Sequence, residues 1–208
     1  MSVLDLEING GVARLTLNRA ANANTIDMEM AEALRDAARR CSSEQEVRTV
    51  TLTGAGRFFC AGGDVSAFAS ENDLLSYLRA LADTLHDAVL ALAQMPKPLI
   101  TVVNGPAAGA GMSLALLGDI VIAGQSAHFT TAYAKIGLTP DGGMSWLLPR
   151  LIGLRQAQNL ILTNRRVLAS EAVALGMVTK VVEDTELAES ARSAANALCQ
   201  APTEALGA

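Results

Sequence analysis

The chain has 208 residues, of which 50% are hydrophobic and 18% are charged, and its net charge at pH 7 is −5. A chain of this length can bury a core without disulfides or a structural metal, and this composition excludes a disordered chain, a collagen and a charged coiled coil. The negative charge and an aromatic content of 3% argue against a nucleic-acid partner. We therefore expect residues 1–208 to form a single domain.

Two short strands joined by Gly10-Gly11 open the chain, because apolar and polar residues alternate over residues 4–8 and 13–17. Helical spacing follows over residues 26–40, where Asp27 falls in the first turn and suits the helix dipole. The remaining predicted elements are strands at residues 47–53, 99–103, 120–123 and 178–182, and helices at residues 72–94, 110–117, 171–175 and 187–199. The recurring order of strand, strand and helix predicts an α/β fold without an internal domain boundary.

Helix ends and one uncharged stretch complete this interpretation. Ser170 is expected to cap the helix at residues 171–175, with Gly176 directly after its end. Residues 99–118 carry no charge and are long enough to cross a membrane, but Asn104-Gly105-Pro106 favours a strand, a turn and a buried helix instead. We therefore expect no membrane partner.

Cysteine usage and the N-terminal sequence indicate a cytoplasmic location. Cys41, Cys60 and Cys199 are widely spaced, form no CxxC pair and are odd in number, which favours reduced thiols over disulfides or a zinc site. The first residues lack the basic and apolar regions of a signal peptide.

Several familiar catalytic patterns are missing. Gly54-Ala55-Gly56 and Gly109-Ala110-Gly111 begin like a dinucleotide motif, but no third glycine follows at the required spacing, and there is no P-loop. His86 and His128 lie in helical and strand-like surroundings that favour structural roles, although a Ser-His-Asp triad stays open. No cluster of histidines and carboxylates has metal-ligand spacing, so we expect no metal.

Two segments rich in small residues, 60–64 and 104–113, are the remaining candidates for a site. Each turns sharply toward a helix, where small side chains let a ligand approach backbone N–H groups that lack partners. Two such groups directed at one point make an oxyanion hole. Tight helix packing is the alternative explanation for both segments.

Together, these segments resemble the crotonase superfamily, the enoyl-CoA hydratase/isomerase proteins, from the first strand to the end of the chain. The segments that carry the resemblance are 15–19 with Asn24, 52–64, 96–100, 104–111, 118–120, 137–143 and 148–153. Residues 109–111, Pro140-Asp141 and residues 146–150 look most like the branch of 1,2-epoxyphenylacetyl-CoA and enoyl-CoA isomerases.

The resemblance implies a crotonase-like spiral of strand–strand–helix turns that binds acyl-CoA thioesters, with no cofactor besides the CoA of the substrate. It implies that the N–H groups of Gly63 and Ala110 hold the thioester oxygen while an enolate forms, and interactions that strengthen in the transition state accelerate the reaction. The implied substrate-binding residues are Ala23, Asn24, Ala61, Gly62, Asp64, Val65, Gly109 and Tyr133. For Asp64 we also expect a role in ordering its loop, and for Tyr133 core packing is an equal alternative.

The reaction is suggested by departures from the family pattern. Hydratases of this family use two glutamates, and Ser113 and Tyr133 occupy their positions here. Neither is a carboxylate, so hydration by the two-glutamate route is disfavoured. Asp141 lies where related isomerases carry an acid, and one carboxylate suffices to move a proton along an acyl chain. The competing interpretation is that Asp141 only stabilises a Pro-Asp-Gly-Gly turn through its own backbone.

Three functions therefore remain: an acyl-CoA isomerase, which we favour, an enoyl-CoA hydratase with atypical residues, and an acyl-CoA-binding protein with little catalysis. The chain ends where family members usually continue with further helices, and we expect those C-terminal helices to be missing. The resemblance implies a homotrimer or hexamer.

Overall fold

The computed structural model describes residues 2–69 and 71–207. The strands are β1 (Leu4–Asn9), β2 (Val12–Leu17), β3 (Thr49–Gly54), β4 (Leu99–Val103), β5 (Ala107–Ala108), β6 (Ile120–Gly124), β7 (His128–Thr130), β8 (Val167–Leu168) and β9 (Lys180–Val182). The α-helices are α1 (Met28–Ser43), α2 (Val65–Ala69), α3 (Leu74–Ala93), α4 (Ala110–Leu116), α5 (Met144–Ile152), α6 (Leu154–Thr163), α7 (Ala169–Leu175), α8 (Leu187–Gln200) and α9 (Thr203–Leu206). Short 3-10 turns cover Ala20–Asn22, Tyr133–Ile136 and Asp184–Glu186.

The strands form two sheets, and the chain alternates between them. The larger sheet has the order β1-β2-β3-β4-β6-β9, and the smaller has the order β5-β7-β8. Only β1 runs antiparallel to its neighbour in the larger sheet, and β2, β3, β4, β6 and β9 are parallel. After β4 and after β6, the chain crosses directly into the smaller sheet, as β5 and β7, before it turns into helices. This confirms the predicted recurrence of two strands and a helix.

Both faces of the larger sheet are covered, which explains why β4 has no polar alternation. Leu99 and Val103 belong to the main core with α1 and α3, which pack against each other. Ile100 and Val102 point to the opposite face and pack with Leu187 and its neighbours on α8. Parallel strands buried on two faces consist of nearly continuous apolar residues.

The uncharged stretch at residues 99–118 is confirmed as a buried strand, a turn and a helix. All residues of β4 and α4 are buried. The Thr101 hydroxyl donates to the Ala115 carbonyl over 2.6 Å and ties the strand to the helix. None of the helices in the described part of the chain is long and apolar enough to cross a membrane.

Some local predictions were wrong. Asp27 lies before the first turn of α1 as its N-cap, where its carboxylate accepts the Met30 N–H over 3.0 Å. Ser170 does not cap α7, because that helix begins at Ala169, two residues earlier than predicted, and Ser170 lies inside it; Leu168 precedes the helix without a side-chain cap. The C-terminal expectation is confirmed, since Gly176 has left-handed backbone angles there.

Other differences concern two helices and one strand boundary. Helices α5 and α6 were not predicted, and Pro149 lies inside α5, where proline argues against a helix interior. The strand expected at residues 178–182 is shorter, because Val178 and Thr179 only lead into β9.

Candidate active site

The two small-residue segments meet side by side in the structure. Cys60 and Ala107 form a parallel bridge, and the Ala108 N–H donates to the Cys60 carbonyl over 3.0 Å. Gly62 has a φ of +94°, and a Cβ built on it would lie 2.8 Å from the Ala108 carbonyl oxygen. Only glycine fits this crossing without strain. The same Cβ would lie 3.6 Å from the nitrogen of Ala110, so the two segments bring their backbones together.

Two backbone N–H groups beside this crossing lack partners. Ala110 is the first residue of α4, and the first N–H groups of a helix have no acceptor within it. Gly63 follows the Gly62 crossing, and its neighbour Asp64 donates its own N–H to the Ile26 carbonyl over 2.9 Å. Within residues 2–69 and 71–207, neither the Gly63 nor the Ala110 N–H has a hydrogen-bond acceptor. Such groups can bind an oxygen atom that enters the cavity described next.

Both residues line a cavity of about 430 Å³ between the loop at residues 61–65, helix α3 and the segment at residues 132–141. Eight of the residues singled out in the sequence line it: Ala61, Gly62, Gly63, Val65, Gly109, Ala110, Tyr133 and Asp141. The cavity wall also contains residues not predicted for the site: Ile26, Phe68, Leu78, Leu81, Ala82, Leu85, Ala132, Lys135, Ile136, Leu138 and Thr139. Most of these are apolar, so the cavity suits an apolar group.

Asp141 is the only acidic side chain that lines this cavity in the described part of the chain. Its Oδ1 accepts the Tyr133 hydroxyl over 2.6 Å, and its backbone carbonyl accepts the Ser113 hydroxyl over 3.0 Å. The same carbonyl accepts the Met144 N–H over 3.0 Å, which closes a turn through the backbone. The carboxylate itself is not used in that turn, and Oδ2 has no hydrogen-bond partner among the described residues.

Tyr133 and Ser113 connect Asp141 to the core. Tyr133 is 5% exposed and Ser113 is 1% exposed, and their hydroxyl oxygens lie 3.1 Å apart. Burial, followed by the negative charge of Asp141, raises the pKa of the Tyr133 phenol well above its usual range. Tyr133 therefore stays protonated and acts as a hydrogen-bond donor. It both lines the cavity and packs in the core, so the two sequence alternatives are compatible.

Ala23, Asn24 and Asp64 do not line the cavity. Asn24 is fully buried, and its amide donates to carbonyls of the loop that follows β3. Ala23 accepts the Ala61 N–H over 3.0 Å and so joins the two loops. The Asn24 side chain is fully used in hydrogen bonds within the protein. These two residues could therefore contact a substrate only through Ala23 or through the Asn24 backbone.

The Asp64 carboxylate binds its own loop. It accepts hydrogen bonds from the Ser66 and Ala67 N–H groups and from the Thr25 hydroxyl, and it pairs with Arg19 at 3.2 Å. Burial favours a higher pKa for Asp64, but the hydrogen bonds and the Arg19 charge outweigh it and hold the pKa below its usual range. This arrangement agrees with the expectation that Asp64 orders its loop.

The two histidines have partners or surroundings typical of structural residues. The Nε2 atom of His86 accepts the Gly142 N–H over 3.2 Å, so this side chain fixes the loop that carries Asp141. His128 begins β7, where burial and then the charge of Arg166 lower its pKa. No group of three or more histidine, cysteine, aspartate or glutamate side chains could hold a metal ion within the described ranges.

Comparisons with known proteins point to one family. The sequence profile described as "Enoyl-CoA hydratase/isomerase" matches residues 7–208. A 1,2-epoxyphenylacetyl-CoA isomerase from Escherichia coli is 42% identical over 205 residues, which cover 96% of this chain and 77% of that protein. A probable enoyl-CoA hydratase from Rhodobacter capsulatus is 37% identical over 202 residues, which cover 97% of this chain and 77% of that protein.

Among solved structures, a Pseudomonas aeruginosa protein superposes with a TM-score of 0.94 at 37% identity, covering all of this chain and 88% of the other. The two sheets and their helices thus form the crotonase fold expected from the sequence. With a family profile that spans nearly the whole sequence, a matching fold and close relatives of both activities, this chain belongs to the enoyl-CoA hydratase/isomerase family.

Proposed function

We propose that this protein is an acyl-CoA isomerase that shifts a double bond through an enolate. The observation that carries the proposal is that Asp141 is the one carboxylate lining the cavity in the described residues, on a wall shared with the N–H groups of Gly63 and Ala110. One carboxylate can both take a proton and return it. A shift of a double bond needs no other acid or base.

In this mechanism the thioester oxygen accepts hydrogen bonds from the Gly63 and Ala110 N–H groups. Asp141 Oδ2 takes a proton from the acyl chain, and the electrons of the broken C–H bond move into the thioester carbonyl to form the enolate. Protonated Asp141 exchanges its proton with solvent and then donates a proton to a different carbon as the enolate collapses, so Asp141 ends as it began. One donor of an oxyanion hole is typically worth about 2.7–4 kcal/mol in the transition state.

This reaction uses no metal and no cofactor beyond the CoA of the substrate, because the backbone donors stabilise the charge that a Lewis acid would otherwise neutralise. The apolar wall of the cavity supports an apolar acyl group. A panel of straight-chain, dienoyl and aromatic acyl-CoA thioesters would determine which acyl group the protein prefers. The three buried free cysteines support the proposal of a reducing, cytoplasmic location.

We also propose that the protein assembles as a homotrimer or hexamer. Large apolar side chains on α5 and α6 are exposed, with Trp146 at 61%, Leu154 at 60% and Leu162 at 79%. Because α5 and α6 contact each other, exposed large apolar side chains on both helices favour an interface. Light scattering coupled to size-exclusion chromatography measures the assembly directly.

A hydratase is the second candidate, because relatives named as probable enoyl-CoA hydratases are 37% identical to this chain. It would add water across the double bond and consume the enoyl absorbance, whereas isomerisation conserves mass. The isomerase is favoured because Ser113 and Tyr133 are hydroxyls at the positions of the hydratase glutamates.

The test is proton exchange from deuterated water into a panel of enoyl-CoA thioesters, followed by mass spectrometry. We expect deuterium incorporation and a shifted double bond with the wild-type protein, and at least a 100-fold loss with Asp141→Asn, at the lower end of the roughly 10²–10⁴-fold that general acid–base catalysis contributes. Asp36→Asn, an exposed substitution on α1, is the matched control and should exchange at the wild-type rate. Equal exchange by wild type and Asp141→Asn, or gain of water as the main product, would refute the isomerase assignment.

A further inference from the structure

We propose that Tyr133 and Ser113 are positioning residues for Asp141. In this arrangement the Tyr133 hydroxyl holds Oδ1 and the Ser113 hydroxyl holds the Asp141 carbonyl, so that Oδ2 is the oxygen that exchanges protons with the substrate. The inference rests on the proposed function, in which Asp141 is the base. The proposal gives a role to the hydroxyls of Ser113 and Tyr133, which stand where hydratases of the family have glutamates.

The first step of the argument is the direction of the hydrogen bonds. An ionised carboxylate only accepts, so the 2.6 Å contact requires that Tyr133 donates to Asp141 Oδ1. The Ser113 proton is then available for the Asp141 carbonyl at 3.0 Å or for the Tyr133 oxygen at 3.1 Å. All three polar groups are thereby joined in one closed cluster.

The second step is that the cluster is rigid. Ser113 lies within α4, whose residues are all buried, and Tyr133 is enclosed by the core. A Cβ built on Gly142 would lie 2.9 Å from the Ser113 Cβ, and the Gly142 φ is +55°, so the Asp141 loop can approach α4 this closely only with glycine there. The Gly142 N–H on His86 and the Met144 N–H on the Asp141 carbonyl hold the loop from its other side.

The third step is chemical. With Oδ1 occupied by a buried donor, Oδ2 is the carboxylate oxygen without a partner in the described part of the chain. When the substrate C–H bond breaks, its proton moves to Oδ2 and its electron pair to the thioester carbonyl, and the return step reverses this at another carbon. Tyr133 and Ser113 gain and lose no proton, so they act through Asp141. Positioning a reacting group within hydrogen-bonding geometry accelerates a reaction by avoiding unproductive orientations.

The test compares Tyr133→Phe and Ser113→Ala with wild type in the deuterium-exchange assay. Phenylalanine keeps the ring and removes only the donor to Oδ1. A hydrogen bond to a charged group is strong enough that we expect kcat for exchange to fall about tenfold while KM changes little. Ser113→Ala should have a smaller effect, because the Met144 N–H still holds the Asp141 carbonyl.

Tyr77→Phe is the matched control, because Tyr77 is the other tyrosine of the chain and does not line the cavity. Calorimetry with a saturated acyl-CoA should give equal affinity for wild type and Tyr133→Phe.

A second readout does not depend on activity. Carbon-13 NMR of labelled aspartate carboxyls at pH 7, with the Asp141 signal identified by its loss in Asp141→Asn, should show a different Asp141 chemical shift in Tyr133→Phe than in wild type, because the hydrogen bond to Oδ1 is removed. Exchange that requires Asp141 but is unchanged in rate by Tyr133→Phe, with an unchanged Asp141 chemical shift, would overturn the positioning role and leave the isomerase intact. A changed chemical shift in a protein without exchange would support the contact and refute the isomerase.

Discussion

Asn24→Ala tests whether one buried side chain holds the loop that precedes the site. Asn24 Nδ2 lies 2.9 Å from the Ala55 carbonyl, 2.8 Å from Phe58 and 3.2 Å from Phe59, while its Oδ1 accepts the Arg19 N–H at 3.0 Å. These contacts connect the turn after β2 to the loop after β3, which leads directly to Gly63. Loss of the amide should therefore destabilise both the protein and the loop.

The magnitude follows from the number of protons available. An amide has two N–H protons, so at most two of the carbonyl contacts are full hydrogen bonds at one time, and the Arg19 contact adds a third. At about 1 kcal/mol each these contribute about 3 kcal/mol, and the φ of +54° adds about 1 kcal/mol when alanine replaces asparagine. A loss of about 4 kcal/mol lowers the melting temperature of a chain of this size by roughly 8–16 °C.

The assay is equilibrium urea unfolding, with Asn164→Ala as the matched control. Asn164 also has a positive φ, of 49°, but its side chain has one hydrogen-bond contact, from the Thr131 hydroxyl at 3.0 Å, whose single proton is shared with the Leu160 carbonyl. The control should lose about 1–2 kcal/mol, so the two variants should differ by about 2–3 kcal/mol. If Asn24→Ala is no more destabilising than Asn164→Ala, the three carbonyl contacts do not stabilise the loop and the reasoning fails.

Two further predictions concern the same loop. Gly62→Ala should abolish deuterium exchange, because the new Cβ would lie 2.8 Å from the Ala108 carbonyl oxygen at a φ of +94°. The matched control is Gly10→Ala, whose Cβ would have nothing within 4 Å, and this variant should retain deuterium exchange. Asp64→Asn should lower the free energy of unfolding at pH 7. The pKa of Asp64 is held below its usual value of 3.8, so the stabilisation by its ionised carboxylate is complete above pH 3.8 and disappears as the pH falls through the folded-state pKa. The free energies of unfolding of wild type and Asp64→Asn should therefore converge on acid titration.

Most of the fold was predictable because its elements carry strong local patterns. The alternation around Gly10-Gly11 gives the β1–β2 hairpin, and the continuous apolar run of β4 gives a strand buried on two faces. Helices α5 and α6 were missed although each has an apolar and a polar face, so helical spacing could have predicted them. In α5, Pro149 argues against a helix interior.

The site was predictable only in part. Glycine and alanine within residues 60–64 and 109–111 mark two segments whose backbones can approach each other closely. This composition can be recognised in the sequence without knowing which distant residues make contact. The apolar wall from α3 could have been found, because Leu78, Leu81, Ala82 and Leu85 follow helical spacing, but spacing alone does not distinguish a cavity wall from a core face. The contact between Tyr133 and Asp141 depends on how a turn folds back onto α4, which no local pattern encodes.

That contact bears on the choice between the two reactions. Hydration requires a group that takes a proton from water, in addition to one that serves the acyl chain. The Tyr133 proton is held by Asp141 and its pKa is raised by burial, so it is a poor base, and the Ser113 proton is directed at the Asp141 carbonyl or at Tyr133. The Tyr133 proton is therefore engaged by the single carboxylate, and the Ser113 proton by the Asp141 backbone carbonyl or by Tyr133, rather than by a water molecule. A cavity with one carboxylate and two occupied hydroxyls supports moving a proton within the substrate over adding water to it.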